Sequence, residues 1–258
     1  MAAYKAVAVK ATIDFSGQNL AIFKDYRQLD PSEKVNLSYW IGMVFTALLA
    51  KELLEVKQLL HASCLNPQRM VMTNSSSRSL ADLVGRDSHL KWHVLEAKGR
   101  QGKPTQPERR KWKAQANTID LIGGRTPETR SFCIAKIGSV LSAELVDPDG
   151  DAGTYEIMFP SQGEDIVLIE AYYGALRDVL AQSSFQISRS NMSFTLTRIA
   201  YDAVEQRHVF IGMESNCYNR ILEKELPSDI LPVKGDDFYL SADGIIVLTS
   251  VKCDPISN

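Results

Sequence analysis

Cysteine is scarce in this chain: four stand in 258 residues, at 64, 133, 217 and 253. No CxxC occurs and no Cys/His pair has zinc-finger spacing, which argues against structural zinc. So few cysteines in so long a chain also argue against a disulfide framework, and they read as buried free thiols in a reducing cytosol. A long apolar run is lacking too. The most apolar stretch, Tyr39 to Ala50, is a dozen residues followed at once by Lys51 and Glu52, too short to span a bilayer and suited to a buried helix. Met1 to Lys10 holds no apolar core of signal-peptide length. The expectation is a soluble, cytoplasmic protein with no membrane partner. There is no internal repeat and no low-complexity tract. Hydrophobic content of 45% and charged content of 23% are those of a globular chain, one long enough to bury a core without staples.

An excess of either sign of charge is lacking: 29 basic against 31 acidic residues leave a net charge of -2, which argues against a constitutive nucleic-acid coat protein. Its distribution is uneven. From Lys98 to Lys113 there are seven basic residues and one acid, Glu108, so this segment carries +6 and the remainder -8. A basic patch in an acidic protein is a focused anion site rather than a polyelectrolyte surface.

Asp30-Pro31-Ser32-Glu33 starts a helix: Asp30 caps, Pro31 suits the first turn and Glu33 stands three after the cap. The apolar residues that follow predict a largely buried helix to about Leu60. "RMVMT" (69–73) reads as a short strand. Leu80 to Arg86 and Lys91 to Lys98 read as two strands joined by a turn at Asp87-Ser88-His89. Pro107 to Ile122 reads as a helix stopped by Gly123-Gly124. "RSFCIAKIGS" and "LSAELVD" read as strands, and Asp147-Pro148-Asp149-Gly150 as a turn. Further on, Glu164 to Gln182 reads as a helix, and four strand-like runs follow from "FTLTRIAYD" to "GIIVLTSV". The reading is an α/β chain with a first region at 1–150 and an α+β region at 151–258.

The chemistry concentrates in the hairpin. If it turns near residue 89, Asp82 faces Glu96, Val84 faces Val94 and Arg86 faces Trp92. Lys98 then shares a face with Glu96, while Leu83, Leu95 and Ala97 point the other way to a core. Opposed Cβ atoms lie roughly 4.5–5.5 Å apart, so two opposed carboxylates destabilise the sheet unless something offsets them. A divalent cation would, since Mg²⁺ favours oxygen ligands and is held by one or two carboxylates with phosphate and water. The plainer reading of the same residues is a surface ion pair of Lys98 with Glu96 or Asp82, worth under about 1 kcal/mol.

The run "LADLVGRDSHLKWHVLEAKGR" resembles the core motif of the PD-(D/E)xK nuclease superfamily, in which an acid is followed across a hairpin by (D/E)-x-K. The pattern falls on Asp82, Glu96 and Lys98, with Ala81 where many members have proline. The resemblance covers residues 31–146. It implies a restriction-endonuclease-like core, with a mixed central sheet flanked by helices. It further implies a Mg²⁺- or Mn²⁺-dependent nuclease that hydrolyses phosphodiester bonds, more of DNA than of RNA. Asp82 and Glu96 would be the metal ligands and Lys98 the residue that assists water. By the same resemblance Gln115 fills the polar position on the helix after the lysine strand. Glu52, ahead of Glu33, is the candidate acid from the preceding helix, taken as partly buried. Arg100, Lys103, Arg109, Arg110, Lys111 and Lys113 would hold the nucleic-acid backbone, with Trp112 available for stacking.

A second reading is a catalytically inactive nuclease-like subunit that binds or scaffolds a larger complex. Restriction, repair and antiviral (anti-phage) defence are all compatible with the first. Residues 151–258 would serve recognition, homo-oligomerisation or contact with a partner such as a helicase or sensor. The histidines at 61, 89, 93 and 208 do not cluster, and His93 reads as packing. Asp147, Asp149 and Asp151 open like a calcium loop, but no acid closes it at the required spacing. Asp87, Asp236, Asp237 and Asp243 read as turn acids.

Overall fold

Asp30 opens the long helix α1 (Pro31–Leu54). Its carboxylate accepts the Ser32 and Glu33 backbone N–H groups at 2.7 and 3.0 Å, and the Glu33 carboxylate accepts the Asp30 N–H at 3.1 Å. This reciprocal cap is the one expected from the sequence. The computed structural model describes residues 9, 12–14, 18–65, 70–72, 80–147, 155–159, 163–189, 191–202 and 207–250. The turn expected at 148–150 lies outside the described residues, as do Asp149 and Asp151.

α1 ends at Leu54, six residues before the expected Leu60. Glu55 takes the left-handed conformation (φ 54°) and the Val56 N–H donates to the Ala50 carbonyl at 3.1 Å. Residues beyond it form an extended strand, β1 (Gln58–His61), which buries Leu60 opposite Val84. The expected burial of α1 holds on one side only. Leu37, Ile41, Gly42, Thr46 and Ala50 are buried, whereas Val35, Val44, Leu48 and Leu53 are exposed. Apolar content states how much surface prefers burial, and the sheet covers only one flank. By length and composition α1 is apolar enough to cross a membrane. Its buried residues pack on strands, as in a core helix of a soluble α/β protein.

Besides a short antiparallel pair, Ile13–Asp14 with Ala21–Ile22, the remaining strands of this part are β2 (Met70–Met72), β3 (Leu83–Arg86), β4 (Trp92–Arg100), β5 (Ile119–Ile122), β6 (Thr129–Lys136), β7 (Ser142–Val146) and β8 (Tyr155–Ile157). Four of them join β1 in a five-stranded mixed sheet in the order β1-β3-β4-β6-β7, and β4 with β6 is its parallel pair. A parallel pair needs a crossover. Here the crossover includes α2 (Gln106–Ala116), capped reciprocally by Thr105 and Glu108. Side chains alternate across β4 and β6. Leu95, Ala97 and Ala135 pack with α1, while Phe132 and Ile134 pack with Trp112 and Ala116 of α2. The sheet is thus flanked by one helix on each face.

The helix expected over 107–122 stops at Ala116. Ile119 and Ile122 are fully buried in β5, which runs parallel to β8. Gly123 and Gly124 (φ 59° and 74°) turn the chain after a strand rather than after a helix. β-branched residues suit that strand, and its partner 36 positions later is invisible to local periodicity.

The chain divides into two compact units, Met1–Phe159 and Pro160–Asn258. The sequence suggests a boundary near 150, but β8 pairs with β2 and β5 of the first unit. The second unit has helices at Glu164–Leu168, Gly174–Gln182 and Ser215–Leu222, with a π-helical turn at Ile169–Tyr173. Its antiparallel sheet is built from β9 (Phe185–Arg189), β10 (Met192–Asp202), β11 (Arg207–Glu214), β12 (Val233–Lys234), β13 (Phe238–Leu240) and β14 (Ile245–Ser250). The strand order is β9-β10-β11-β14-β13-β12. Phe194, Leu196, Phe210, Leu240, Ile246 and Leu248 fill its core. Of the cysteines expected to be buried, Cys133 and Cys217 are, while Cys64 is exposed in a 3₁₀ turn (Ala62–Cys64).

α1 lies unusually close to the backbone of β4. A Cβ on Gly99 would stand 1.7 Å from the Ser38 carbonyl oxygen, and one on Gly42 would stand 2.7 Å from the Gly99 nitrogen. Gly99→Ala is therefore expected to lower unfolding stability by about 2–4 kcal/mol in urea denaturation. Gly102→Ala, whose Cβ meets nothing within 4 Å, should change it by less than about 0.5 kcal/mol.

Candidate functional site

The hairpin register brings the site together. Leu83 pairs with Leu95, Val84 with Val94, Gly85 with His93 and Arg86 with Trp92. The next position outward sets Asp82 opposite Glu96, as the sequence predicts. Asp87 fixes the turn: its Oδ1 accepts the His89 and Lys91 N–H groups, each at 2.8 Å. Its Oδ2 lies 3.2 Å from His93 Nε2, and His93 Nδ1 is 2.9 Å from Thr129 Oγ1. Asp87 is thus a turn acid, and His93 is a buried, hydrogen-bonded packing residue.

Glu96 is only 1% exposed. Its Oε2 accepts the Asp82 N–H at 3.1 Å and its Oε1 accepts from Lys98 Nζ. Asp82 Oδ2 accepts the Ala97 N–H at 3.0 Å and lies 3.9 Å from Lys98 Nζ. The side chains of Asp82 and Lys98 retain 18% and 23% exposure, so one rim of the cluster reaches solvent. A surface ion pair is not what is found, because one partner is wholly interior. Burial, reinforced by the negative charge of Asp82, pushes the Glu96 carboxyl up to about 7 against the pull of Lys98.

Neighbouring elements hold Asp82 from both sides. The Ala62 N–H donates to the Asp82 carbonyl at 2.8 Å, just past the pairing of His61 with Leu83. The Ala81 N–H donates to Thr118 Oγ1 at 2.9 Å, and that hydroxyl donates to the Gln115 carbonyl at 2.8 Å. Gln115, half-buried in the last turn of α2, is thereby tied to the backbone beside Asp82.

Glu52 is different. It is exposed, contrary to the partial burial expected of it, and stands ten residues beyond Gly42, where α1 meets Lys98 and Gly99. At 1.5 Å per residue that is roughly 15 Å along the helix, so Glu52 is not brought to the cluster. Glu33 is used by the helix cap.

The basic segment divides in two. Arg100 pairs with Glu108 at 2.6 Å, and Arg109 pairs with Glu144, which also takes Lys136 at 2.9 Å. Lys103, Arg110 and Lys111 are exposed, and Lys113 is half-buried. Trp112, expected to be available for stacking, is buried with its ring 6.2 Å from that of Phe132. It anchors α2 to the sheet instead.

A cleft of ≈ 480 Å³ opens between the first turns of α1 and the end of β4, lined by Lys34, Ser38, Tyr39, Lys98, Arg100 and Gln101 among others. Burial, with the charges of Asp82 and then Glu96, raises the Tyr39 phenol above its ordinary range. Sequence reasoning missed Tyr39 because it sits inside an apolar run. It missed His61 because most of the strand carrying it, Gln58–His61, was read as the end of the helix.

Among the described residues no group of three or more His, Cys, Asp or Glu side chains is gathered as a metal site. The donor set is the two carboxylates alone. It fits a hard cation such as Mg²⁺, which completes its shell with water and substrate oxygens, and it does not fit zinc. No family model, no characterised protein and no solved structure matches the chain.

The raised Glu96 group makes stability pH-dependent. Because the native state holds this proton more tightly than the unfolded chain, its contribution is full below about 4.5 and is lost as pH rises towards about 7. Glu96→Gln keeps the acceptor for Lys98 and removes the charge. It should flatten that slope and stabilise the protein above neutrality by on the order of 2–3 kcal/mol in EDTA, read from melting curves across pH.

Proposed function

We propose that the first unit is a metal-dependent nuclease with a restriction-endonuclease-like core, acting on phosphodiester bonds of nucleic acid, more of DNA than of RNA. The observation that carries this reading is a fully buried glutamate opposed to a second carboxylate, with one lysine against both. A fold selected for stability alone has no reason to keep that repulsion inside. Further support is the succession of helix, strands, helix and strand around one mixed sheet, with the cluster on its central hairpin.

Asp82 and Glu96 would hold Mg²⁺ or Mn²⁺. When bound, the ion supplies a lowered pKa to attacking water and charge neutralisation to the phosphate. Lys98 orients the water and stabilises the negative charge that builds on the phosphate oxygens. Thr118 and Ala62 hold the Asp82 backbone so that its carboxylate stays opposed to Glu96. Lys103, Arg110 and Lys111 extend a positive surface for the nucleic-acid backbone, and Gln115 is a candidate for orienting substrate. The second unit would serve recognition, oligomerisation or contact with a helicase or sensor, in the cytoplasm.

One observation favours the alternative of an inactive, nuclease-like scaffold subunit. The carboxylates accept from Lys98 and from two backbone N–H groups, so the chain itself supplies partners to both. Isothermal titration with Mn²⁺ separates the two readings. The nuclease binds Mn²⁺ and loses it in Asp82→Ala, whereas the scaffold shows no binding, or binding that Asp82→Ala leaves unchanged.

With Mg²⁺ or Mn²⁺ the purified protein is expected to cut DNA, and Lys98→Ala to abolish cutting while the circular dichroism spectrum is kept. Equal cutting in excess EDTA, or cutting that survives Lys98→Ala, would sink the mechanism.

A further inference from the structure

Tyr39 and His61 form a hydrogen-bonded pair beside the acid cluster that the mechanism above does not use. Tyr39 projects from α1, and its hydroxyl oxygen lies 3.1 Å from His61 Nε2. His61 belongs to β1, directly across from Leu83, the residue after Asp82. The Ser63 N–H donates to His61 Nδ1 at 3.2 Å, so Nδ1 is an acceptor. In the neutral ring the proton then sits on Nε2 and is donated to the Tyr39 oxygen. Tyr39 accepts this bond, and its own O–H hydrogen is left to donate elsewhere.

The direction left to it matters. Tyr39 lines the same cleft as Lys98, together with Lys34, Ser38, Arg100 and Gln101. Two of those neighbours are already organised: Gln101 Nε2 donates to the Tyr26 hydroxyl at 2.9 Å, and that hydroxyl lies 2.9 Å from Ser38 Oγ. Lys34, an oriented phenol and two cations that also hold carboxylates, Lys98 against Glu96 and Arg100 against Glu108, line a groove whose backbone wall is fixed by the Gly42–Gly99 approach. A groove so built suits an anion with several oxygen acceptors, such as a phosphodiester.

We propose that Tyr39, oriented by His61, donates its hydroxyl hydrogen to a non-bridging oxygen of the bound phosphodiester, which enters by the cleft between α1 and the end of β4. This rests on the nuclease reading for the identity of the ligand, but it needs no metal and no cleavage. Of the basic segment expected to hold the backbone, it uses Arg100 and places the contact in the cleft rather than on Lys103, Arg110 and Lys111.

The test is the fluorescence anisotropy of a labelled DNA oligonucleotide titrated with the full chain in EDTA at low salt. Tyr39→Phe is expected to weaken binding about tenfold, the loss for one hydrogen bond to a charged acceptor. His61→Leu should weaken it likewise, and His61→Gln, which keeps an N–H near the Nε2 place, should restore it. Tyr39→Phe is half-exposed and conservative, and an unchanged melting curve separates loss of binding from loss of fold. The inference is overturned if wild type does not bind the oligonucleotide. It is overturned also if Tyr39→Phe binds as wild type does while Arg110→Ala with Lys111→Ala loses affinity. Tight, Tyr39-dependent binding with no cutting in Mn²⁺ would uphold this inference and reject the nuclease.

Discussion

Two carboxylates and one ammonium share a pocket from which Glu96 cannot reach water. Coulomb repulsion between Asp82 and Glu96 grows as the local dielectric falls, and Lys98 can neutralise only one of them. Everything nearby acts to hold that costly arrangement. Asp87 fixes the turn, and the ladder from Leu83–Leu95 to Arg86–Trp92 fixes the register. The Asp82 carbonyl is held by Ala62, just past β1, and the preceding Ala81 N–H by Thr118. A relaxed alternative would need only a slip of one residue, which would also throw Leu83 and Leu95 out of the core. The apolar face of the hairpin therefore stabilises the charged face against the escape that electrostatics favours.

The same logic explains the placement of α1. Its contact with β4 is made through glycine on both elements, so the helix backbone approaches the strand that bears Lys98 without intervening side chains. That closeness places Tyr39 and Lys98 on the walls of one cleft. It also explains why α1 can be so apolar yet half-exposed. A helix that meets a sheet along one narrow line buries Ile41, Gly42, Thr46 and Ala50 and leaves Val44 and Leu48 outside.

The basic segment is less uniform than its +6 charge suggests. Arg100 and Arg109 are taken up by Glu108 and Glu144, which order the start of α2 and join it to β7. Electrostatic pairing of this kind trades field strength for structure. The cations of the segment left exposed are Lys103, ahead of α2, and Arg110 and Lys111 on it, whereas those lining the cleft come from α1 and the end of β4. Two surfaces thus offer themselves to an anion, and they differ in whether an oriented hydroxyl accompanies the charge.

Local rules in the sequence determined the capping box at Asp30, the hairpin at 83–100 with its register, the face shared by Asp82, Glu96 and Lys98, and the core role of Leu83, Leu95 and Ala97. Each depends on residues a few positions apart or on strict two-residue alternation, so short-range geometry suffices. Only the tertiary structure decided that α1 stops at Leu54, that Ile119–Ile122 is a strand, that Trp112 is buried and that Glu52 stands apart from the cluster. Those outcomes turn on partners far along the chain: Val84 for Leu60, Tyr155–Ile157 for β5, Phe132 for Trp112 and Gly99 for Gly42. Periodicity reports how a segment divides its surface between apolar and polar. It does not report which other segment arrives to cover it, and that arrival also made Tyr39 and His61 neighbours of the acid pair.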